Sequence, residues 1–225
     1  GHLAKQIEAD SLSLLNAMLD VDFLKASGFT IDTALGMYLA NSYEVYWNTS
    51  PKAFCQKMLK QYNVFWNDSR VEKAKAIALS KDQVIALAAI VQKETAMIDE
   101  RPMVAGLYLN RLKKGMLLQA DPTVIFAKKK TENNFNQVIK RVLFKDLKIA
   151  SPYNTYTNLG VPPGPITMPD ISAIDGVLNY QKHGFYFMVA DVKKFGYHKF
   201  AKTLKAHNRN KRQYVNWINK QGIQR

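Results

Sequence analysis

Among the acidic side chains of this 225-residue chain, Glu94 has the placement best suited to acid–base chemistry. It follows the run Val84–Val91, which is apolar nearly all round, and Leu87, Ile90 and Val91 precede it by seven, four and three residues. At 3.6 residues per turn these positions share one helix face, so Glu94 points where the core stripe points. Burial disfavours the charged form of a carboxyl group and raises its pKa. An acid held protonated near neutral pH at the edge of a cleft can protonate a departing oxygen and later take a proton back. The competing reading is a frayed helix end whose carboxylate pairs with Lys93 or Arg101. A helix C-terminus disfavours an ionised carboxylate, which fits either protonation or a cation partner.

The elements that must position this residue follow from local signals. Ser80 and Gln83 match a capping box, with Asp82 in the first turn, so a buried central helix is expected over Ser80–Glu94. Arg101-Pro102 opens another helix, stopped by Gly115, and Asp121-Pro122 opens the next. Residues 116–119, "MLLQ", read as a short strand. Upstream, residues 10–19 and "TIDTALGMYL" read as short helices, and "NSYEVYW" (41–47) alternates like a strand. Ser50-Pro51 opens a long helix whose buried stripe is Phe54, Met58, Tyr62 and Phe65. Residues 151–169 hold five prolines and two glycines, which forbids a helix or a central strand. A loop of that length inside a domain is usually functional. Asp170 then caps a helix with Ile171, Ile174, Val177 and Leu178 inward. Residues 185–191 and 197–203 read as a β-hairpin, and a basic helix follows with the stripe Leu204, His207, Tyr214 and Ile218. The fold class is α+β: helix-rich, with a buried central helix carrying Glu94 and a small antiparallel hairpin.

Composition narrows the partners. The net charge is +14, and after Asp191 there is no acid, only a basic tail from Lys193 to Arg225. Such a tail favours polyanions, whether nucleic acid, anionic lipid or an acidic wall polymer; a solvated basic helix face is the plainer alternative. Cys55 is the one cysteine and is read as inert core, and the four histidines are scattered, so the sequence offers no metal cluster. No run approaches the roughly 20 apolar residues of a membrane-spanning helix. The opening Gly1-His2, with no initiator methionine, reads as the start of an excised fragment.

Three stretches together resemble the YceG-like family of endolytic murein (lytic) transglycosylases. They are "IVQKETAMIDERPMVAGLYLNRLKKGMLLQADPTVIF", "SPYNTYTNLGVPPGPITMPDISAI" and "YFMVADVKKFGYHKFAKTLKAHNR", and the similarity spans roughly residues 39 to 215. Two departures matter. The family's I-V-E-K-E-T has Gln92 in place of its first glutamate, which leaves Glu94 as the candidate acid of the motif. Its threonine-aspartate-proline-threonine is Ala120-Asp121-Pro122-Thr123 here, keeping the aspartate.

The resemblance implies a single-pass membrane protein of the cytoplasmic (inner) membrane with its catalytic domain on the extracytoplasmic side, of which this chain is a soluble fragment. It implies cleavage of nascent peptidoglycan glycan strands between N-acetylmuramic acid and N-acetylglucosamine, leaving 1,6-anhydro ends. The glycan strand is then the partner, with peptidoglycan synthases as further candidates, and no metal or cofactor is required. Residues 39–225 are then the catalytic domain, and residues 1–38 a small N-terminal subdomain, the remnant of a LysM-like one, or the connection to it. Glu94 is the catalytic candidate. Asn110, Gln119 and Asp121 are candidates for contact with substrate; plain polar contacts, or an N-cap role for Asp121, are the alternatives. Tyr153, Asn154, Thr155 and Tyr156 on the Pro-rich loop are candidates for packing on and orienting sugars. Arg111 either holds the cleft's shape or pairs with a carboxylate. His198, His207 and Asn208 are read as bracing the hairpin against the last helix. Two other classes compete: a wall-binding scaffold that lost its chemistry, favoured slightly by Gln92, and a nucleic-acid module built on the basic tail.

Overall fold

Eight consecutive side chains, Val84 to Val91, are buried, and the helix that carries them lies at the centre of the molecule. The computed structural model describes residues 3–139 and 141–221; Gly1-His2 and the tail's Arg225 lie outside them. The central helix, α5, spans Lys81–Glu94. Its capping box is complete: Ser80 Oγ accepts from Gln83 N at 3.2 Å and Gln83 Oε1 accepts from Ser80 N at 2.9 Å. Thr95 turns to extended backbone and ends it. Full burial of a Val, Leu or Ile side chain stabilises by ~1.5–3 kcal/mol each, so this stripe outweighs any propensity argument for where α5 sits.

Around α5 pack α6 (Arg101–Lys113), α7 (Asp121–Thr131) and α8 (Ile171–Leu178). Both α6 and α7 open with proline in the first turn, as expected, and Gly115 at φ +62° ends α6. α8 starts after Asp170, but the Asp170 side chain makes no cap bond; it accepts from Arg101 Nη1 at 3.2 Å instead. Gln92 ties α5 to this point, its Oε1 accepting from Asp170 N at 2.5 Å. The hairpin is β1 (Phe187–Ala190) against β2 (His198–Ala201), antiparallel, with Phe187 opposite Ala201 and Ala190 opposite His198. α9 (Leu204–Lys220) follows and packs on both strands. The α+β architecture is therefore as expected.

Upstream elements differ more. Residues 10–19 hold α1 (Ser11–Met18), but a second helix, α2 (Val21–Ala26), follows it, capped by Asp20 Oδ1 on Phe23 N at 2.7 Å. "TIDTALGMYL" forms only a 3-10 turn, Ala34–Met37, because Thr30 and Thr33 hydrogen-bond each other's backbone N–H and hold the chain out of a helix. Residues 41–47 make no strand; the neighbouring Ala40 forms one isolated bridge to Asp170, and no strand edge lies there to extend it. α3 (Pro51–Phe65) buries Phe54, Met58 and Tyr62, with Phe65 partly buried, and α4 (Asp68–Ala76) follows under an Asn67 cap. Ile7, Leu14, Leu24, Phe29, Ala34 and Met37 belong to the same apolar core as α5, so the segment before residue 39 is packed onto the rest. No helix among the described residues is long and apolar enough to cross a membrane.

Candidate functional site

The C-terminal end of α5 opens on a cavity of about 360 Å³, walled by α6, the start of α7, the Pro-rich loop, β1, β2 and the first turns of α9. Glu94 lies in its wall with Tyr108, Arg111, Gln119, Asp121, Tyr156, His198 and His207. Each is delivered by a different local device.

Glu94 is half-buried, its remaining surface turned to the cavity. Tyr108, buried one helix away, donates its hydroxyl to Glu94 Oε1 at 2.7 Å. Neither Lys93 nor Arg101 pairs with it. Arg101 is spent on Asp170 and on Ser172 Oγ at 2.5 Å. The frayed-end alternative therefore has no cation partner to offer. Burial raises the Glu94 pKa from 4.5 to about 7; the Tyr108 hydrogen bond and the charges of His198 and Arg111 oppose the rise, and Asp121 adds to it. At neutral pH this carboxyl is protonated in a large share of molecules, the state a general acid needs.

Arg111 shapes the wall. Its Nε donates to Tyr186 O at 2.7 Å, and Nη1 donates to Leu117 O at 3.2 Å and Leu118 O at 2.7 Å. That is why residues 116–119 form no strand: their carbonyls answer to a guanidinium rather than to a neighbouring chain. Gln119, at φ +50°, takes the left-handed conformation that costs a non-glycine residue ~1–3 kcal/mol. Its N–H donates to Thr155 O at 3.0 Å, which leaves the exposed amide at the cavity wall.

Asp121 is not an N-cap. Ala120 holds that position and no side chain caps it; Asp121 sits in the first turn and accepts the Tyr156 hydroxyl at 2.5 Å. The loop quartet divides. Tyr156 reaches the cavity. Tyr153, Asn154 and Thr155 are buried and turned inward. The Tyr153 hydroxyl donates to Asp32 at 2.9 Å, and the Asn154 amide donates to Leu147 O at 3.0 Å and Ile149 O at 2.9 Å. Thr155 Oγ1 accepts from Ala120 N at 3.0 Å and lies 2.8 Å from Thr123 Oγ1. Thr155 thus locks the loop to the start of α7, Tyr153 locks it to the N-terminal segment, and Asn154 ties it to the chain just before it. Asn110 does not line the cavity either. Its Nδ2 donates to His183 O at 2.8 Å and Phe185 O at 3.1 Å, docking the chain that leads into β1.

His207 stacks on Phe187 at 5.4 Å, so it does brace β1 against α9, and burial among cations lowers its pKa. Asn208 is exposed. His198 is held from another side. Glu100, at the entry to α6, accepts from His198 N at 2.6 Å and from His198 Nδ1 at 3.0 Å. Burial alone would raise the Glu100 pKa, but the bonds from His198 and Thr95 outweigh it and the pKa is lowered. Reading the sequence missed Tyr108 and Glu100 as site residues. Tyr108 stands fourteen residues beyond Glu94 and gives no spacing signal, and of the neighbouring acids Asp99 and Glu100 nothing marks which is buried. Among the described residues no group of three His, Cys, Asp or Glu side chains is placed to hold a metal ion.

Comparison with known proteins converges on one family. A model described as "YceG-like family" matches residues 2–213, reaching back across the segment before residue 39. An endolytic murein transglycosylase of Bacillus subtilis is 36% identical over 168 residues, which is 75% of this chain and 44% of that protein. One of Streptococcus pneumoniae is 33% identical over 138 residues, 61% of this chain and 24% of that protein. The chain thus spans less than half the length of these curated relatives. A crystal structure of a yceG-like protein from Listeria monocytogenes superimposes with a TM-score of 0.75 at 29% identity, covering 92% of this chain and 70% of that one. With the family match running over nearly the whole chain and the fold in agreement, the chain belongs to the YceG-like family.

Proposed function

We propose that this chain is the catalytic body of an endolytic murein transglycosylase, which cuts nascent peptidoglycan between N-acetylmuramic acid and N-acetylglucosamine and leaves 1,6-anhydro ends. The observation that carries the reading is Glu94: a half-buried carboxyl in an open cavity, pushed up to about 7, with no cation paired to it among the described residues. A hydrolase normally needs a second carboxyl group to attack carbon or activate water. A lytic transglycosylase uses the sugar's own 6-hydroxyl, so one acid suffices to start the reaction. Glu94 donates its proton to the glycosidic oxygen as the C1–O bond breaks, the 6-hydroxyl oxygen bonds to C1, and its proton leaves to a base in the cavity. Glu94, ionised by the first step, is one such base. Tyr156, Gln119 and Asp121 offer an aromatic face, an amide and a carboxylate to the sugar ring and its acetamido group.

The names of the relatives support the substrate class, and the site supports the chemistry. A glycan substrate outside the cytoplasmic membrane calls for an anchored, extracytoplasmic enzyme, and peptidoglycan synthases, which make the strand being cut, are the natural partners. Incubating the protein with uncrosslinked glycan and weighing the products by mass spectrometry tests the reading. Anhydromuramoyl ends are expected; intact strands, or reducing ends from hydrolysis, would refute it. A wall-binding scaffold that has lost its chemistry predicts intact strands, and the retained, raised-pKa Glu94 argues against it.

A further inference from the structure

The second step of the proposed reaction needs a group to take the proton of the 6-hydroxyl, and the cavity contains a second titratable side chain besides Glu94 that is held by a buried partner. Glu100 is a buried carboxylate, 6% exposed, and its partners are the side chain and backbone N–H of His198 together with Thr95. Burying a carboxylate is costly unless it is matched by hydrogen bonds, so this one has been placed to hold the imidazole. An ionised carboxylate only accepts, so His198 Nδ1 carries the hydrogen of the 3.0 Å contact. In the neutral ring this fixes the tautomer and leaves the lone pair on Nε2. Among the described residues Nε2 makes no hydrogen bond, and His198 lines the cavity that Glu94 lines. A buried carboxylate that orients an imidazole whose other nitrogen faces the reacting atoms is a recurrent arrangement for a general base. Hydrogen bonds hold the ring on two elements at once, since β2 supplies His198 and the approach to α6 supplies Glu100.

We infer that His198, oriented by Glu100, is the base that accepts the proton of the muramoyl 6-hydroxyl while Glu94 supplies the proton to the leaving oxygen. The inference rests on the transglycosylase reading of the previous section. The proton count closes: Glu94 loses one to the departing 4-oxygen, His198 Nε2 gains one from O6 as O6 bonds to C1, and exchange with water resets both groups. Glu94 is then free to remain ionised until product leaves, with Tyr108 donating to its charged form.

The test compares wild type, His198→Asn, His198→Ala and Glu100→Gln on uncrosslinked glycan, following anhydro ends and the melting temperature of each. Removing a general base typically costs 10²–10⁴-fold, so kcat for His198→Asn is expected to fall by about that factor with KM little changed. Imidazole added to His198→Ala is expected to restore turnover in a saturable way, which a merely structural role would not allow. Glu100→Gln keeps an acceptor and loses the charge; its kcat is expected to fall by roughly tenfold or more, and it decides the matter should His198→Ala not fold. Wild-type kcat in His198→Asn, or a folded His198→Ala that imidazole does not revive, overturns the inference while leaving the transglycosylase reading intact. Absence of anhydro ends from wild type overturns that reading itself.

Discussion

At the scale of single residues, the site turns on how one carboxyl group is kept protonated. Burial raises the Glu94 pKa to about 7, and the hydroxyl of Tyr108 pulls the other way because it donates to the charged form. Turnover should therefore fall as pH rises past about 7, when the acid is lost. Tyr108→Phe removes an opposing influence, so that descending limb should move to higher pH, which a pH–rate profile reads directly. The same shift is a stability statement. A carboxyl whose pKa rises on folding from 4.5 to about 7 binds more protons folded than unfolded between those values, so its ionisation destabilises the fold progressively across that window and fully above it. Glu94→Gln should then match wild-type melting near pH 4 and melt higher at pH 8. An upper bound on the gain is ~3 kcal/mol, reduced by cavity water, and calorimetry at the two pH values checks it. Glu94 was legible in the sequence because its face follows from local periodicity. The inward turn of Tyr153 and Asn154 was not, because their partners, Asp32 and the carbonyls of Leu147 and Ile149, are set by tertiary packing.

At the scale of elements, α6 works as a docking rail for the chain entering β1. Pro102 O accepts from Gln181 N at 2.9 Å and Met103 O lies 2.8 Å from His183 Nε2. Asn110 and Arg111 then bind the carbonyls of His183, Phe185 and Tyr186, so the strand that walls the cavity is placed by α6 residue by residue. Gly106 allows the close approach: a Cβ there would meet Gln181 O at 2.3 Å and His183 Nε2 at 2.7 Å. Gly106→Ala is expected to destabilise by ~1–3 kcal/mol and to lower turnover as well, since β1 must shift; urea melts and the glycan assay on one preparation test both. Elements whose signals are local, such as the capped α5 and the Pro-led α6 and α7, could be read from the sequence. α2 and α4 had caps in Asp20 and Asn67 but short, weakly patterned bodies that the reading passed over. The strand expected over 41–47 had the right alternation and no sheet edge to join, which no local pattern reveals.

At the scale of the whole molecule, the question is what a charge of +14 serves. Within the acid-free tail Leu204–Lys220 form α9, whose inner face carries the buried Ile218 and the cavity residue His207, while Lys205, Arg209, Lys211 and Arg212 are exposed. Trp217 lies 5.6 Å from Phe195 and stacks on Tyr214 at 6.5 Å, so Trp217 and Tyr214 cover part of each other while Phe195 stays exposed. DNA or RNA binding through this basic face should be nonspecific and disappear between low and physiological salt in an anisotropy titration. Affinity that persists there would revive the nucleic-acid reading. The central claim is more direct: a single protonated carboxyl starts glycan cleavage. Its sharpest test is Glu94→Gln on uncrosslinked glycan, with the ends identified by mass spectrometry and folding confirmed by melting. The account predicts a folded protein that releases no anhydromuramoyl ends while wild type releases them; anhydro ends produced by the variant at the wild-type rate would contradict it.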